Sequence, residues 1–141
     1  MPVRTSSATW RGALKEGDGT VALGSGAFEG AYSFPSRFEE GPGSNPEELI
    51  GAALASCYSM FLANVLATAG AVPTRVHTEA HVHLGRDDRG PAITKIELVC
   101  RAEVPGIEAD AFAEHAQAAK GGCPVSKALA AVPIELDAAL D

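Results

Sequence analysis

The feature that most constrains this chain is one long apolar segment with a sharply marked start. Asn45-Pro46-Glu47-Glu48 supplies an N-cap, a proline in the first turn and a carboxylate at the third position. An Ala- and Leu-rich run then continues to about residue 69, where Gly70 and Pro73 stop it. A helix apolar on nearly every face is expected to be buried on most of them, so the remaining elements must be arranged around it. Ser56, Ser59, Asn64 and Thr68 interrupt residues 49–71. No apolar run is therefore expected to approach the roughly 20 residues that cross a bilayer, and the segment reads as a core helix.

The flanking segments alternate in the manner of strands. Residues 8–14 and 20–23 are separated by Lys15-Glu16-Gly17-Asp18-Gly19, which predicts a hairpin. Along residues 75–84, Val76, Thr78, Ala80, Val82 and Leu84 fall on one face and His77, Glu79, His81 and His83 on the other. A turn at residues 86–90 leads to residues 92–104, where Ile96, Leu98, Cys100, Ala102 and Val104 form the inward face. Helices are predicted at residues 108–120, ending at Gly121-Gly122, and at 123–131, with a closing strand at 134–140. Strands, long helix, strands, helices and strand in that order define an α+β class. The Gly- and Pro-rich residues 24–45 are too long for an idle connection and suggest a functional segment.

A length of 141 residues fits a single domain, residues 1–141. Eighteen acidic against 11 basic side chains, with no Lys/Arg cluster, disfavour nucleic-acid binding. The first 20 residues carry Arg4, Arg11 and Lys15 without a continuous apolar stretch, so a secretory signal is not expected. Three cysteines in such a chain point to a reducing compartment, the cytoplasm, and to core, ligand or redox roles rather than structural disulfides.

The three thiols differ. Cys100 lies on the inward strand face and reads as a small buried hydrophobe. Cys123, in Gly121-Gly122-Cys123-Pro124, has two readings: a thiolate favoured by a helix terminus, or a plain cap position. Cys57 is mid-helix, where periodicity alone gives a buried thiol and ionisation would require a nearby cation. That requirement directs attention to Arg37, the lone arginine of the Gly/Pro-rich segment.

Several runs resemble the OsmC branch of the OsmC/Ohr peroxidases: Ser36-Arg37-Phe38-Glu39-Glu40-Gly41, the Asn45–Ala53 block, Ala55-Ser56-Cys57, Ala92-Ile93-Thr94-Lys95-Ile96, Val104-Pro105-Gly106-Ile107, and Gly122-Cys123-Pro124-Val125-Ser126. The likeness extends from about residue 8 to residue 136 with motif order kept. It implies an OsmC-like fold, with curved antiparallel sheets packed on a long central helix in an intertwined homodimer. It also implies a cysteine-based peroxidase for organic hydroperoxides with no metal, flavin, haem or other cofactor. Carried over by position, Cys57 is the peroxidatic thiol and Cys123 the resolving thiol. Arg37 is the cation orienting thiolate and peroxide, and Glu47 the carboxylate that positions it. The implied partners are a second copy, an organic hydroperoxide and a dithiol reductant of lipoyl type.

Apolar side chains at Phe38, Met60 and Phe61 suit an alkyl or aryl substrate pocket. Glu47 and Cys57, ten residues apart on one helix, are separated by about 15 Å along its axis. Glu47 is therefore expected to act through Arg37, on the Cys57 of the partner chain. Three other functions compete with this one. His77, His81 and His83 with Glu79 offer donors for a metal module. The same thiols could serve a non-catalytic redox sensor or structural dimer. A thiol hydrolase lacks a convincing Cys/His/Asp set.

Overall fold

The computed structural model describes residues 1–141, which divide into two units, residues 1–49 and 50–141. In the first unit, β1 (Ser6–Arg11), β2 (Asp18–Leu23) and β3 (Glu29–Tyr32) form an antiparallel sheet in that order. The predicted hairpin is present, with Ser6 opposite Leu23 and Arg11 opposite Asp18. Residues 24–45 are not a long irregular segment. They hold β3 and a one-turn helix, α1 (Phe34–Phe38). This helix is fixed by a capping box in which the Ser33 and Ser36 side chains each accept the other's backbone N–H. Gly43 adopts φ +112°, and a Cβ there would stand 2.7 Å from the Ala31 carbonyl oxygen. Only glycine lets the chain pass β3 this closely.

The long helix α2 (Pro46–Thr68) begins and ends close to its predicted bounds. Asn45 caps it, accepting the Glu48 N–H through Oδ1 at 2.7 Å. Two expectations are corrected here. By length and composition α2 is long and apolar enough to cross a membrane, because its two carboxylates are confined to the first turn and its other polar side chains are neutral and scattered. It is also not buried on most faces, since only 28% of its most apolar window is buried within the chain. Burial is confined to one stripe, where Leu54, Tyr58, Leu62 and Leu66 at i, i+4, i+8 and i+12 are fully enclosed.

In the second unit that stripe packs on a sheet of β4 (Arg75–Asp87), β5 (Gly90–Glu103) and β6 (Ile134–Leu140), with α3 (Ala109–Gly122) and the one-turn α4 (Pro124–Ala128) completing the core. The alternation read from the sequence is realised: Ile96, Leu98, Cys100, Ala102 and Val104 are all buried. Tyr58 donates its hydroxyl to the Ala116 carbonyl at 2.9 Å, joining α2 to α3, and burial holds its phenol well above the usual range. One strand departs from the antiparallel expectation. β6 runs parallel to β5, because the chain returns through α3 and α4, and a crossover of that length delivers a parallel neighbour.

Candidate active site

In the second unit two of the three cysteines meet. Cys57 lies at the middle of α2 and Cys123 at the junction where α3 ends and α4 begins. Their sulfurs are 2.7 Å apart although 66 positions separate them in the sequence. Cys123 is fully buried and Cys57 half-buried, so Cys57 is the sulfur an outside molecule can reach. Cys100 is fully enclosed in the core and its thiol is pushed up by burial, in agreement with a packing role.

Burial, and then the contact with Cys123, raise the Cys57 thiol above its ordinary value, and the Val125 backbone N–H only partly offsets this. Burial also works against ionisation of Cys123. The Cys57 thiol, then the nearby Ser126 backbone and side chain and the Val125 backbone, favour the charged form strongly enough to outweigh it, and the Cys123 thiol lies below its ordinary value. The effect owes little to a helix dipole, since α4 is a single turn and the Cys123 side chain makes no cap hydrogen bond. Within the second unit, then, nothing activates Cys57. Ionising it calls for a cation.

Gly122, directly before Cys123, has a steric reason to be glycine. A Cβ there would lie 2.8 Å from the Phe61 ring, whereas one at Gly121 would meet nothing. Phe61 thus packs against the residue adjoining Cys123. Met60 is 76% exposed.

In the first unit, Arg37 at the end of α1 and Glu47 in the first turn of α2 form a two-pronged ion pair. Nε donates to Oε1 at 3.0 Å and Nη2 to Oε2 at 2.9 Å. The frame around it is built from the sequence block that marks the helix start. Asn45 Nδ2 donates to the Ser36 carbonyl at 3.0 Å, and Ser36 Oγ donates to the Ser44 carbonyl at 2.7 Å. Glu47 is 7% exposed, while the guanidinium side is open enough to meet a ligand. Phe38 lies under the same guanidinium, 5.3 Å from its carbon to the ring centre. Trp10, Leu14, Tyr32, Ser33 and Phe34 join Arg37 and Phe38 around a cavity of about 200 Å³.

The histidine face is engaged differently from a metal site. His83 contacts Glu97 across the hairpin and holds that carboxyl below the usual carboxylate range, and His81 pairs with Glu79 at 3.6 Å. No group of three or more His, Cys, Asp or Glu side chains is disposed to hold a metal ion. Gly122, Val125 and Ser126 were not assigned to the site individually from the sequence, although all three lie within three positions of Cys123.

Known proteins resemble this chain along most of its length. The family described as OsmC-like protein matches residues 39–137. The proteins named peroxiredoxin OsmC from Escherichia coli (strain K12) and Shigella flexneri are each 49% identical to this chain over 129 residues, 91% of this chain and 90% of theirs. The chain belongs to the OsmC family. Solved structures share its fold: the organic hydroperoxide resistance protein OhrB of Bacillus subtilis superposes with a TM-score of 0.73 at 24% identity, covering 97% of this chain and 98% of that one. An organic hydroperoxide resistance protein from Elizabethkingia anophelis gives 0.77 at 22% identity, with 99% of each chain covered.

Proposed function

We propose that the chain is a cytoplasmic thiol peroxidase that reduces organic hydroperoxides, with residues 1–141 working as one module of a homodimer. Its class, cysteine-based peroxidase, follows from family membership and from the 49% identity to proteins named peroxiredoxin. The observation that carries the finer reading is the contact of Cys57 with Cys123 across 66 positions, a half-buried thiol against a fully buried one.

Thiolate Cys57 attacks the terminal peroxide oxygen. The O–O bond breaks, the leaving alkoxide takes a proton to become the alcohol, and Cys57 becomes a sulfenic acid. Cys123 then attacks that sulfur, forming the disulfide and releasing water. An external dithiol, of lipoyl type in this reading, restores both thiols by exchange.

Arg37, held by Glu47, supplies the missing cation. Burial raises the Cys57 thiol, so its ionisation needs a positive charge, and the planar guanidinium can also hold a peroxide oxygen in line. Glu47 and Cys57 lie ten residues apart in α2, about 15 Å along the axis. Glu47 therefore acts through Arg37, and the pair serves the Cys57 of the partner subunit. In this reading Phe38, beside Arg37, and Phe61 and Met60, on the same helix as Cys57, supply apolar surface for the hydroperoxide once two chains pair. Structural relatives named for organic hydroperoxide resistance favour the same substrate class.

The test is steady-state consumption of tert-butyl hydroperoxide and of hydrogen peroxide, with dihydrolipoamide or dithiothreitol, by wild type and Cys57→Ser. Turnover of the organic peroxide that disappears in Cys57→Ser is expected. Absence of turnover with either dithiol would move the function to a thiol sensor.

A further inference from the structure

Ser126 is 6% exposed, and its Oγ is the one buried side-chain oxygen or nitrogen with no hydrogen-bond partner. Such an orphan is costly and calls for a physical reason. Comparison within the molecule supplies one. In α1 the serine at the third helical position, Ser36, accepts the backbone N–H of the capping residue Ser33 at 2.8 Å. Ser126 holds the same position in α4, with Cys123 as the capping residue. There, however, the Cys123 N–H is already donated to the Ala119 carbonyl at 3.2 Å, because Cys123 also ends α3. The usual partner of such a serine is thus taken. In α1 the Ser36 hydroxyl also donates to the Ser33 carbonyl at 3.1 Å, whereas in α4 the Cys123 carbonyl accepts the Lys127 N–H at 3.1 Å and nothing from Ser126, which leaves the Cys123 sulfur as the other acceptor on that turn. A neutral thiol is a weak acceptor, whereas a thiolate is a strong one.

We propose that the Ser126 hydroxyl is held in reserve for the Cys123 thiolate, donating to that sulfur when it leaves during reduction of the Cys57–Cys123 disulfide. The inference rests on the disulfide cycle proposed above. Cys57 is the more accessible sulfur, so an incoming dithiol thiolate attacks Cys57 Sγ. A bond forms between that thiol and Cys57, the Cys57–Cys123 bond breaks, and its electron pair passes to Cys123 Sγ. The second thiol of the reductant, deprotonated, then attacks its own sulfur in the mixed disulfide, releases Cys57 as thiolate and leaves as a cyclic disulfide. Protons from solvent return to the two enzyme sulfurs. A thiolate of lower pKa leaves faster, so a hydroxyl donated to Cys123 directs attack to Cys57 and accelerates recycling. In agreement, the Ser126 side chain is among the groups that hold the Cys123 thiol below its ordinary value.

Two pairs of proteins test this on the full chain: wild type against Ser126→Ala, and Ser126→Thr against Ser126→Val, which share a shape and differ in the hydroxyl. Stoichiometric tert-butyl hydroperoxide first oxidises each protein, and intact mass reports the loss of two hydrogens. Reduction of that disulfide by dithiothreitol is then timed, and the Cys123 pKa is read by iodoacetamide alkylation in a Cys57→Ser background. Removal of the hydroxyl is expected to raise the Cys123 pKa by about one unit and to slow reduction about three- to tenfold. Ser126→Thr should stay near wild type, and the melting temperature of Ser126→Ala should not fall, because the removed hydroxyl bonded to nothing. Equal pKa and equal reduction rates within both pairs would overturn the assignment. Wild type that forms no disulfide would overturn the cycle itself, a failure visible before any variant is compared.

Discussion

The Arg37–Glu47 pair makes a demand that a double-mutant cycle can test. Each prong is a charge-assisted hydrogen bond, 3.0 and 2.9 Å long, to a carboxylate that is 7% exposed. Bonds of this kind contribute about 1.5–3 kcal/mol each when buried. The Arg37 side chain is 37% exposed, so water screens its half of the pair and the coupling falls toward about 1–2 kcal/mol. Glu47→Gln keeps an acceptor for Nε but turns an amide NH₂ toward Nη2, so one prong is lost and the other becomes neutral. Arg37→Met removes both. Urea denaturation of wild type, the two single variants and the double variant, at one protomer concentration, should therefore give a coupling energy of about 1–2 kcal/mol. The kinetic part is sharper. If Glu47 acts only through Arg37, all three variants lose a similar factor in kcat/KM, about a hundredfold for a charge aimed at a reacting centre. Multiplying losses in the double variant, or a coupling energy near zero, would show that Glu47 does not work by holding Arg37.

Two further outcomes are expected. Cys123→Ser should consume about one equivalent of organic hydroperoxide and stop, with the Cys57 sulfenic acid captured by dimedone; sustained turnover with a dithiol would remove Cys123 from the cycle. Cys100 is raised by burial, so its contribution to stability is fully present below the ordinary thiol pKa and is lost as pH rises through its higher folded value. Alkaline denaturation profiles of wild type and Cys100→Ala should therefore diverge only above the ordinary thiol range, and coincident profiles would count against that burial.

Much of this molecule was legible before its structure. The Asn45 cap, the period-two alternation from Val76 to Val104 and the β6 bounds are local signals, and each was realised. What the sequence hid was either weak or remote. β3 is four residues long and contains Gly30 and Ala31, poor strand formers, so nothing local announces it. The capping box of α1 uses serine at both ends rather than the more recognisable acidic partner, and Pro35 reads as a loop residue out of context. The parallel direction of β6 depends on a 30-residue excursion that no local pattern encodes. The pairing of Cys57 with Cys123 came from resemblance alone, since a thiol in mid-helix looks like packing. Ser126 was passed over because a serine in a first turn is ordinary; its significance depends on where the Cys123 N–H is spent.

The meeting of Cys57 and Cys123 also ties redox state to folding. A bond between them closes a loop spanning 66 positions. In the unfolded chain that closure costs about 4 kcal/mol of chain entropy, whereas the native fold has already brought the two sulfurs together. By thermodynamic cycle, the fold favours the disulfide by the same amount, on the order of 90 mV for a two-electron couple. If the proposed disulfide forms, the oxidised protein is the more durable one, and any dithiol that reopens it works against the folding energy of its own target.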